Sequence, residues 1–352
     1  MVQTPEEIKE SGLVYVTDSM PGIYRKGKPG NFHYEDKNGQ RVTDELQLER
    51  IKGLVLPPAW TQVWIAAKKN AYLQATGLDA AGRKQYRYHP KWTSRRSEHK
   101  YFRLLEFGKA LPQARKRLAK DLRRKDFDEQ KVLAICVQVM QKTLIRVGNE
   151  AYAQLYGSYG LSTLKNKHVK VDGNALRLKF IGKKGVKQEV VLNDKSLAKM
   201  VKKCMEIPGQ DLFQYYTEGK EHRGVDSGKI NNYIREITGS DFTAKDFRTW
   251  GGTLEALRQL AICSGNALEE QPKKKVIVQV LDCVASKLGN TRAVCKSSYV
   301  YPLLLEAFEK DTLAKYLQKI HTEKPDTIAA MENDEKILMK FLKEAQKQAK
   351  KS

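Results

Sequence analysis

The stretch His168–Leu192, HVKVDGNALRLKFIGKKGVKQEVVL, decides the fold class. His168–Val171, Ala175–Ile181 and Val186–Leu192 are β-like runs joined by Asp172-Gly173-Asn174 and Gly182-Lys183-Lys184-Gly185. Short alternating runs bounded by Gly, Asn and Asp predict strands linked by tight turns, which puts Lys183 at the tip of a hairpin. Everything around this island reads as helix. Upstream, Asp128–Tyr156 places Val132, Ile135, Val139, Leu144 and Ala151 near helical spacing, so one face should be core. Ser97–Lys125 is basic and amphipathic, and Pro112 should break it into two pieces. Downstream, helices are predicted at Lys195–Met205, Ser227–Ile237, Ala244–Cys263, Lys275–Leu288 and Arg292–Phe308, with Gly239 as a C-cap and Thr243 with Asp246 opening the next helix as a capping box.

Before Trp92 the texture is different. Leu13–Thr17, Gly22–Arg25, Phe32–Tyr34 and Val63–Ile65 are strand-like, punctuated by Lys37-Asn38-Gly39-Gln40 and by a Pro-Pro turn within Leu54–Trp60. The fold class is therefore α+β: a small β-rich N-terminal domain at 1–91, then a larger, mostly α-helical domain with a β-hairpin insertion at 92–310. A Lys-rich tail at 311–352 should end in a helix at Asp334–Lys350.

Net charge is +23 over 352 residues, and residues 82–125 hold 16 Lys/Arg against 3 Asp/Glu. Such a concentration calls for a polyanion. A solvated helix face or an anionic membrane surface are the alternatives. The interleaving in Gly82-Arg83-Lys84-Gln85-Tyr86-Arg87-Tyr88 favours nucleic acid, because Gln, Arg and Tyr can reach base edges or stack as well as hold phosphates. No apolar run approaches the ~20 residues of a membrane span. The N-terminus lacks the layout of a signal peptide, so a cytoplasmic address is expected, nucleoid-associated if the chain is bacterial. The five cysteines are scattered, without a C-x-x-C pair, and the six histidines form no ligand motif, so neither disulfides nor a metal is expected.

Four residues carry candidate chemistry. Arg146 sits late in an otherwise apolar helix, where an arginine is commonly a salt-bridged structural residue. Arg248, in Lys245-Asp246-Phe247-Arg248, is early in a helix, a place suited to phosphate, though Asp246 is an equally good partner. Lys183 and Tyr299 read, on their own, as a solvated lysine and one of 16 tyrosines.

Taken in order, Arg146, Lys183, Lys245-Asp246-Phe247-Arg248 and Asn290 nine residues before Tyr299 resemble the catalytic half of type IB DNA topoisomerases, in their compact poxvirus-like and bacterial branch. Leu161–His168 (LSTLKNKH), Phe180-Ile181-Gly182-Lys183 and Gly82–Tyr88 carry the resemblance further, from about residue 20 to about 310. The resemblance implies that Tyr299 attacks the scissile phosphate to form a 3′-phosphotyrosyl enzyme, and that Arg146 and Arg248 hold the nonbridging oxygens. Lys183 would protonate the 5′ leaving oxygen, with Lys245 a secondary candidate. Many relatives have histidine where this chain has Asn290, which can serve only as a neutral donor. The resemblance further implies DNA contacts from Arg83, Lys84, Gln85, Tyr86 and Tyr88, a monomer closing as a C-clamp around duplex DNA, and no cofactor. The nearest alternative is a tyrosine recombinase, which tends to show His-x-x-Arg where this chain has Lys245-x-x-Arg248. A non-catalytic DNA-binding protein would explain the charge but not the ordered motifs.

Overall fold

The computed structural model describes residues 5–80, 82, 84–265, 272–320 and 328–349, and the chain divides into two compact units, Met1–Tyr101 and Phe102–Ser352. The division expected at 91/92 falls at the start of a long helix, about ten residues ahead of the observed boundary, and residues 311–352 belong to the second unit rather than forming a tail.

In the first unit α1 (Pro5–Glu10) precedes β1 (Ile23–Lys28) and β2 (Asn31–Glu35), followed by α2 (Glu45–Gly53), β3 (Thr61–Ile65), β4 (Leu73–Leu78) and β5 (Lys84–Tyr88). The five strands form one antiparallel sheet in the order β2-β1-β3-β4-β5, leaving β5 at an edge. Ile23, Ile51, Val63, Ile65 and Ala75 pack one core cluster, while Trp64, Ala71, Tyr72, Leu73 and Trp92 pack a second. The predicted strand Leu13–Thr17 is reduced to a single bridge, Val14 to Ala71. Helix α2 is set by Asp44, whose carboxylate accepts the backbone N–H of Leu46 at 3.0 Å.

In the second unit α3 (Pro90–Leu122) enters and α4 (Glu129–Thr143) and α5 (Glu150–Tyr156) follow. Next come β6 (Val169–Asp172), β7 (Ala175–Ile181) and β8 (Lys187–Asn193), an antiparallel three-stranded sheet in that order, then α6 (Lys195–Met205). A small hairpin, β9 (Gln214–Tyr216) and β10 (His222–Gly224), leads to α7 (Ser227–Thr238), α8 (Ala244–Gly265) and α9 (Lys273–Leu288). The chain continues through α10 (Arg292–Ser298), α11 (Pro302–Glu309), α12 (Ala314–Leu317) and α13 (Ile328–Ala349).

Four expectations are corrected. Pro112 lies inside an unbroken α3, whose buried Phe107, Leu111, Ala114 and Leu118 hold the helix against its neighbours despite the lost backbone donor. The segment 128–156 is two helices, because Leu144 adopts a left-handed conformation (φ 55°) at the end of α4 and Gly148 (φ 96°) turns the chain before Asn149 caps α5. The predicted helix 292–308 is likewise interrupted after Ser298 and restarts at Pro302, in the first-turn position that proline favours. Helix α4 is also buried on nearly every side, not on one face.

The last helix is woven into the unit. Asp334, fully buried, pairs with Arg258 of α8 at 2.7 Å, and Glu335 accepts from Trp250 Nε1 at 2.9 Å while pairing with Arg115 of α3 at 2.6 Å. Phe341 packs edge-on against Tyr301 and Tyr316.

Candidate active site

The two breaks that sequence periodicity passes over hold two of the candidate residues. Arg146 lies in the loop between α4 and α5, not in a helix as expected, and Tyr299 closes α10 with φ −132° and ψ −13°. The Arg146 loop is fixed by its own backbone: Leu161 N–H donates to the Arg146 carbonyl at 2.8 Å and Ser162 N–H to that of Val147 at 2.7 Å. Here Leu161–Thr163, the start of LSTLKNKH, has a mechanical role. Gly160 is required beside it, since a Cβ there would stand 2.6 Å from the Arg146 carbonyl oxygen.

Arg248 projects from the first turns of α8 and is only 3% exposed. One end of its guanidinium donates to the Leu144 carbonyl, and Nη2 donates to the Leu288 carbonyl at 2.9 Å. The left-handed Leu144, a costly conformation for a branched side chain, thus turns a carbonyl onto a buried cation, while its methyls fill the space beside Gly251. Asp246 is not the partner of Arg248. It is held by Arg103 at 2.9 Å and accepts the Thr243 N–H at 2.8 Å, so the predicted box is realised through the Asp246 carboxylate.

Tyr299 is half-buried, with its ring centroid 5.0 Å from Arg248 Cζ. Its carbonyl accepts the Thr253 hydroxyl at 3.1 Å, and a Cβ on Gly252 would come within 2.9 Å of that same oxygen. Gly252 and Thr253, one turn beyond Arg248, therefore set the height of Tyr299 against the guanidinium. The signal for this was the Gly251-Gly252 pair inside a helical pattern, which marks close approach of another segment.

Arg146 donates through Nη1 to the Gly289 carbonyl at 3.1 Å and through Nη2 to Asn290 Oδ1. With Oδ1 so engaged, Asn290 Nδ2 is left a buried donor with no partner among the described residues, and Arg248 Nε is another. Orphaned buried donors are rare in proteins and ask for a reason. Four of the expected residues, Arg146, Arg248, Asn290 and Tyr299, are thus brought into one cluster. Burial lowers the Arg248 guanidinium from its ordinary value; Tyr299 opposes this and Arg146 adds to it. The Cys295 thiol, buried one turn before Tyr299, is pushed up to about 11 by burial, with both arginines pulling against the shift.

Lys183 occupies the β7–β8 turn and is exposed, with Lys184 and Gly185 both at positive φ. The base of that hairpin reaches the cluster through Gln188, whose side chain lies against Gly182 and against Gly289, where a Cβ would be 2.3 Å from its amide. Lys245 is exposed on the first turn of α8. Among the described residues neither ammonium bonds to the cluster. No group of three or more metal-ligating side chains occurs among the described residues, and no described helix is long and apolar enough to cross a membrane.

In the first unit, Lys84, Gln85, Tyr86 and Tyr88 lie on edge strand β5. Tyr86 is 50% exposed and stacks on Tyr88, which is half-buried against the Trp64–Tyr72 core. Gln85 Nε2 donates to Asp79 at 2.9 Å and Lys84 pairs with Asp18 at 2.5 Å. Arg83 lies outside the described residues.

Comparison with known proteins finds relatives along most of the chain. The family model for the catalytic core of eukaryotic DNA topoisomerase I matches residues 89–333, and that for the N-terminal domain of bacterial DNA topoisomerase IB matches residues 31–79. DNA topoisomerase 1B of Acanthamoeba polyphaga mimivirus is 35% identical over 300 residues, 83% of this chain and 89% of that protein. DNA topoisomerase 1B of vaccinia virus (strain Copenhagen) is 23% identical over 235 residues, 65% of this chain and 70% of the relative. A half-buried tyrosine against a fixed pair of arginines, and family matches across both units, lead to one statement: the chain belongs to the type IB DNA topoisomerase family.

Proposed function

We propose that Tyr299 is the nucleophile with which this isomerase relaxes supercoiled duplex DNA. The phenol oxygen attacks the scissile phosphorus, the bond to the 5′ oxygen breaks, and the 3′ phosphate is left on tyrosine. The 5′ oxygen leaves with a proton, and its return attack reseals the strand. Bond energy is stored in the phosphotyrosine, so neither ATP nor an obligatory metal enters the balance. Rotation about the intact strand between the two steps removes supercoils.

The observation that carries this reading is the position of the Tyr299 ring against a buried, doubly anchored Arg248. A tyrosine with an ordinary pKa of ~10 is a poor nucleophile at neutral pH. Fixed positive charge beside it stabilises the phenolate and the charge that gathers on the nonbridging oxygens. Arg146 supplies the second guanidinium, and Asn290 contributes a neutral donor through Nδ2. Lys183, on a turn free to deliver it, gives its proton to the 5′ oxygen, with Lys245 as the weaker candidate. Because the two orphaned donors are shielded from solvent, phosphate reaches them only with a local rearrangement of the Asn290 turn.

We assign Arg83, Lys84, Gln85, Tyr86 and Tyr88 to DNA contact, supported by the exposed edge position of β5 and the half-exposed Tyr86. The same proposal has the protein acting as a cytoplasmic monomer, its two units gripping the duplex as a C-shaped clamp, as the resemblance to type IB topoisomerases implies. A tyrosine recombinase would need paired recognition sites. Plasmid relaxation without such sites, in EDTA and without ATP, is expected of the wild type. Tyr299→Phe should bind DNA with unchanged affinity and form no covalent adduct. Relaxation at the wild-type rate by that variant would remove Tyr299 from the mechanism.

A further inference from the structure

Two of the polar side chains on the DNA-facing edge strand are already occupied by carboxylates of their own unit. Lys84 Nζ lies 2.5 Å from Asp18 Oδ2, and Gln85 Nε2 lies 2.9 Å from Asp79 Oδ2. Asp18 is itself held, since Thr76 Oγ1 donates to the same Oδ2 at 2.9 Å from the adjacent strand β4. The pair sits in a concave patch on the sheet bordered by Arg25, Lys26 and Gln62. Arg25 is tied down by donation to the carbonyls of Pro57 and Trp60, at 3.0 and 2.7 Å. Asp18 is thus an anion on a cationic sheet surface, bonded to the ammonium that a phosphate would otherwise meet.

We infer that Asp18 is an internal phosphate surrogate that sets DNA affinity: it neutralises Lys84 in the free enzyme, and the duplex must displace it before Lys84 can contact a phosphate. The inference rests on the assignment of β5 to DNA contact. Burial works against the Asp18 carboxylate, yet the bonds from Lys84 and Thr76 outweigh it and lower the group from its ordinary value. The bond to Asp18 in turn raises the Lys84 ammonium. Both partners therefore stay charged across neutral pH, and the exchange is one of ion pairs, not of protons. Lys84 remains 46% exposed on its side chain and Asp18 26%, so an incoming phosphate can reach the ammonium without unfolding the strand. An exposed pair of this kind is weak in absolute stability. That weakness suits a contact meant to be exchanged.

The consequence is opposite for the two partners. Lys84→Ala should weaken DNA binding, whereas Asp18→Asn, which keeps the shape and an acceptor for Thr76, should tighten it severalfold at low salt. Each phosphate neutralised adds roughly 0.9 to the slope of log affinity against log salt. Lys84→Ala, which loses that phosphate, should therefore flatten the slope by about that amount, ~3.5-fold less gain between 200 and 50 mM salt, while Asp18→Asn, which keeps it, should hold the wild-type slope.

The test is equilibrium binding of the full chain to a short duplex by fluorescence anisotropy across salt, for wild type, Asp18→Asn, Lys84→Ala and the double variant, with thermal melting to confirm each is folded. The inference expects Asp18→Asn to bind tighter than wild type and the double variant to match Lys84→Ala. If Asp18→Asn tightens binding equally in the Lys84→Ala background, added net charge explains the gain and the inference fails. It also fails if Asp18→Asn leaves binding unchanged or weaker while Lys84→Ala weakens it, and the β5 assignment then stands. No loss from Lys84→Ala overturns that assignment for Lys84 and the inference with it. Asp18→Ala serves as the second variant should the asparagine fail to fold, with the same tightening expected.

Discussion

Replacing Asn290 with alanine separates stability from catalysis in a way the geometry makes quantitative. The change removes an acceptor from Arg146, a hydrogen bond to a charged group of the kind worth ~1.5–3 kcal/mol. It also removes the buried, partnerless Nδ2, whose desolvation costs a similar ~1–3 kcal/mol. The two largely cancel, so Asn290→Ala should melt close to wild type. Catalysis has no such compensation. A preorganised donor to a phosphoryl oxygen is typically worth ~2.7–4 kcal/mol, so cleavage should slow by about 10²–10³-fold. Asn290→His, which restores an N–H donor, should recover most of the rate. Asn290→Asp retains an acceptor for Arg146 but sets an anion beside the phosphate, and should be slower than alanine. The assay is single-turnover formation of the covalent adduct on a duplex whose downstream strand is too short to remain bound. Cleavage by Asn290→Ala within about threefold of wild type, at equal DNA affinity, would falsify the role assigned to Nδ2.

Two further outcomes follow from the packing. Gly252→Ala drives a methyl to 2.9 Å from the Tyr299 carbonyl oxygen, so the tyrosine turn must shift. Adduct formation should fall by about 10²-fold with noncovalent binding intact, as expected when a reacting group is displaced by ~1 Å, and an unchanged rate would show that the turn tolerates the methyl. The Glu255 carboxylate is disfavoured by burial, but Lys287 at 2.5 Å and Gln259 at 2.9 Å outweigh this and lower it from its ordinary value. A lowered folded-state value stabilises the fold above the ordinary glutamate range, and this is lost as pH falls through the folded value. Glu255→Gln should therefore melt lower than wild type at neutral pH and converge with it in acid; parallel melting curves at all pH values would refute the assignment.

The sequence made some of this legible and hid the rest for identifiable reasons. The hairpin strand Ala175–Ile181 and helix Lys195–Met205 appear with the bounds that their alternation and turn residues predict. Strand Leu73–Leu78 was invisible because five of its six residues are buried, leaving no alternation to read. The breaks at Leu144 and Tyr299 were missed because neither is a local preference. A leucine turns left-handed because its carbonyl binds Arg248 from another helix, and Tyr299 halts α10 where Thr253 captures its carbonyl. Only Pro302 announced that second break in advance. The identities of the cluster residues could be read by resemblance. Their mutual anchoring, through the carbonyls of Leu144, Leu288 and Gly289, left no trace in side-chain types.

Helix α13 comes after every group assigned to the chemistry, yet without it Trp250 Nε1 loses its acceptor and Arg258 its buried carboxylate, both on the helix that carries Arg248. A chain growing from its N-terminus therefore owns the whole reactive cluster before it owns the part that steadies it. A substitution in α13 can therefore disturb Arg248 through the helix that bears it, without touching the cluster itself.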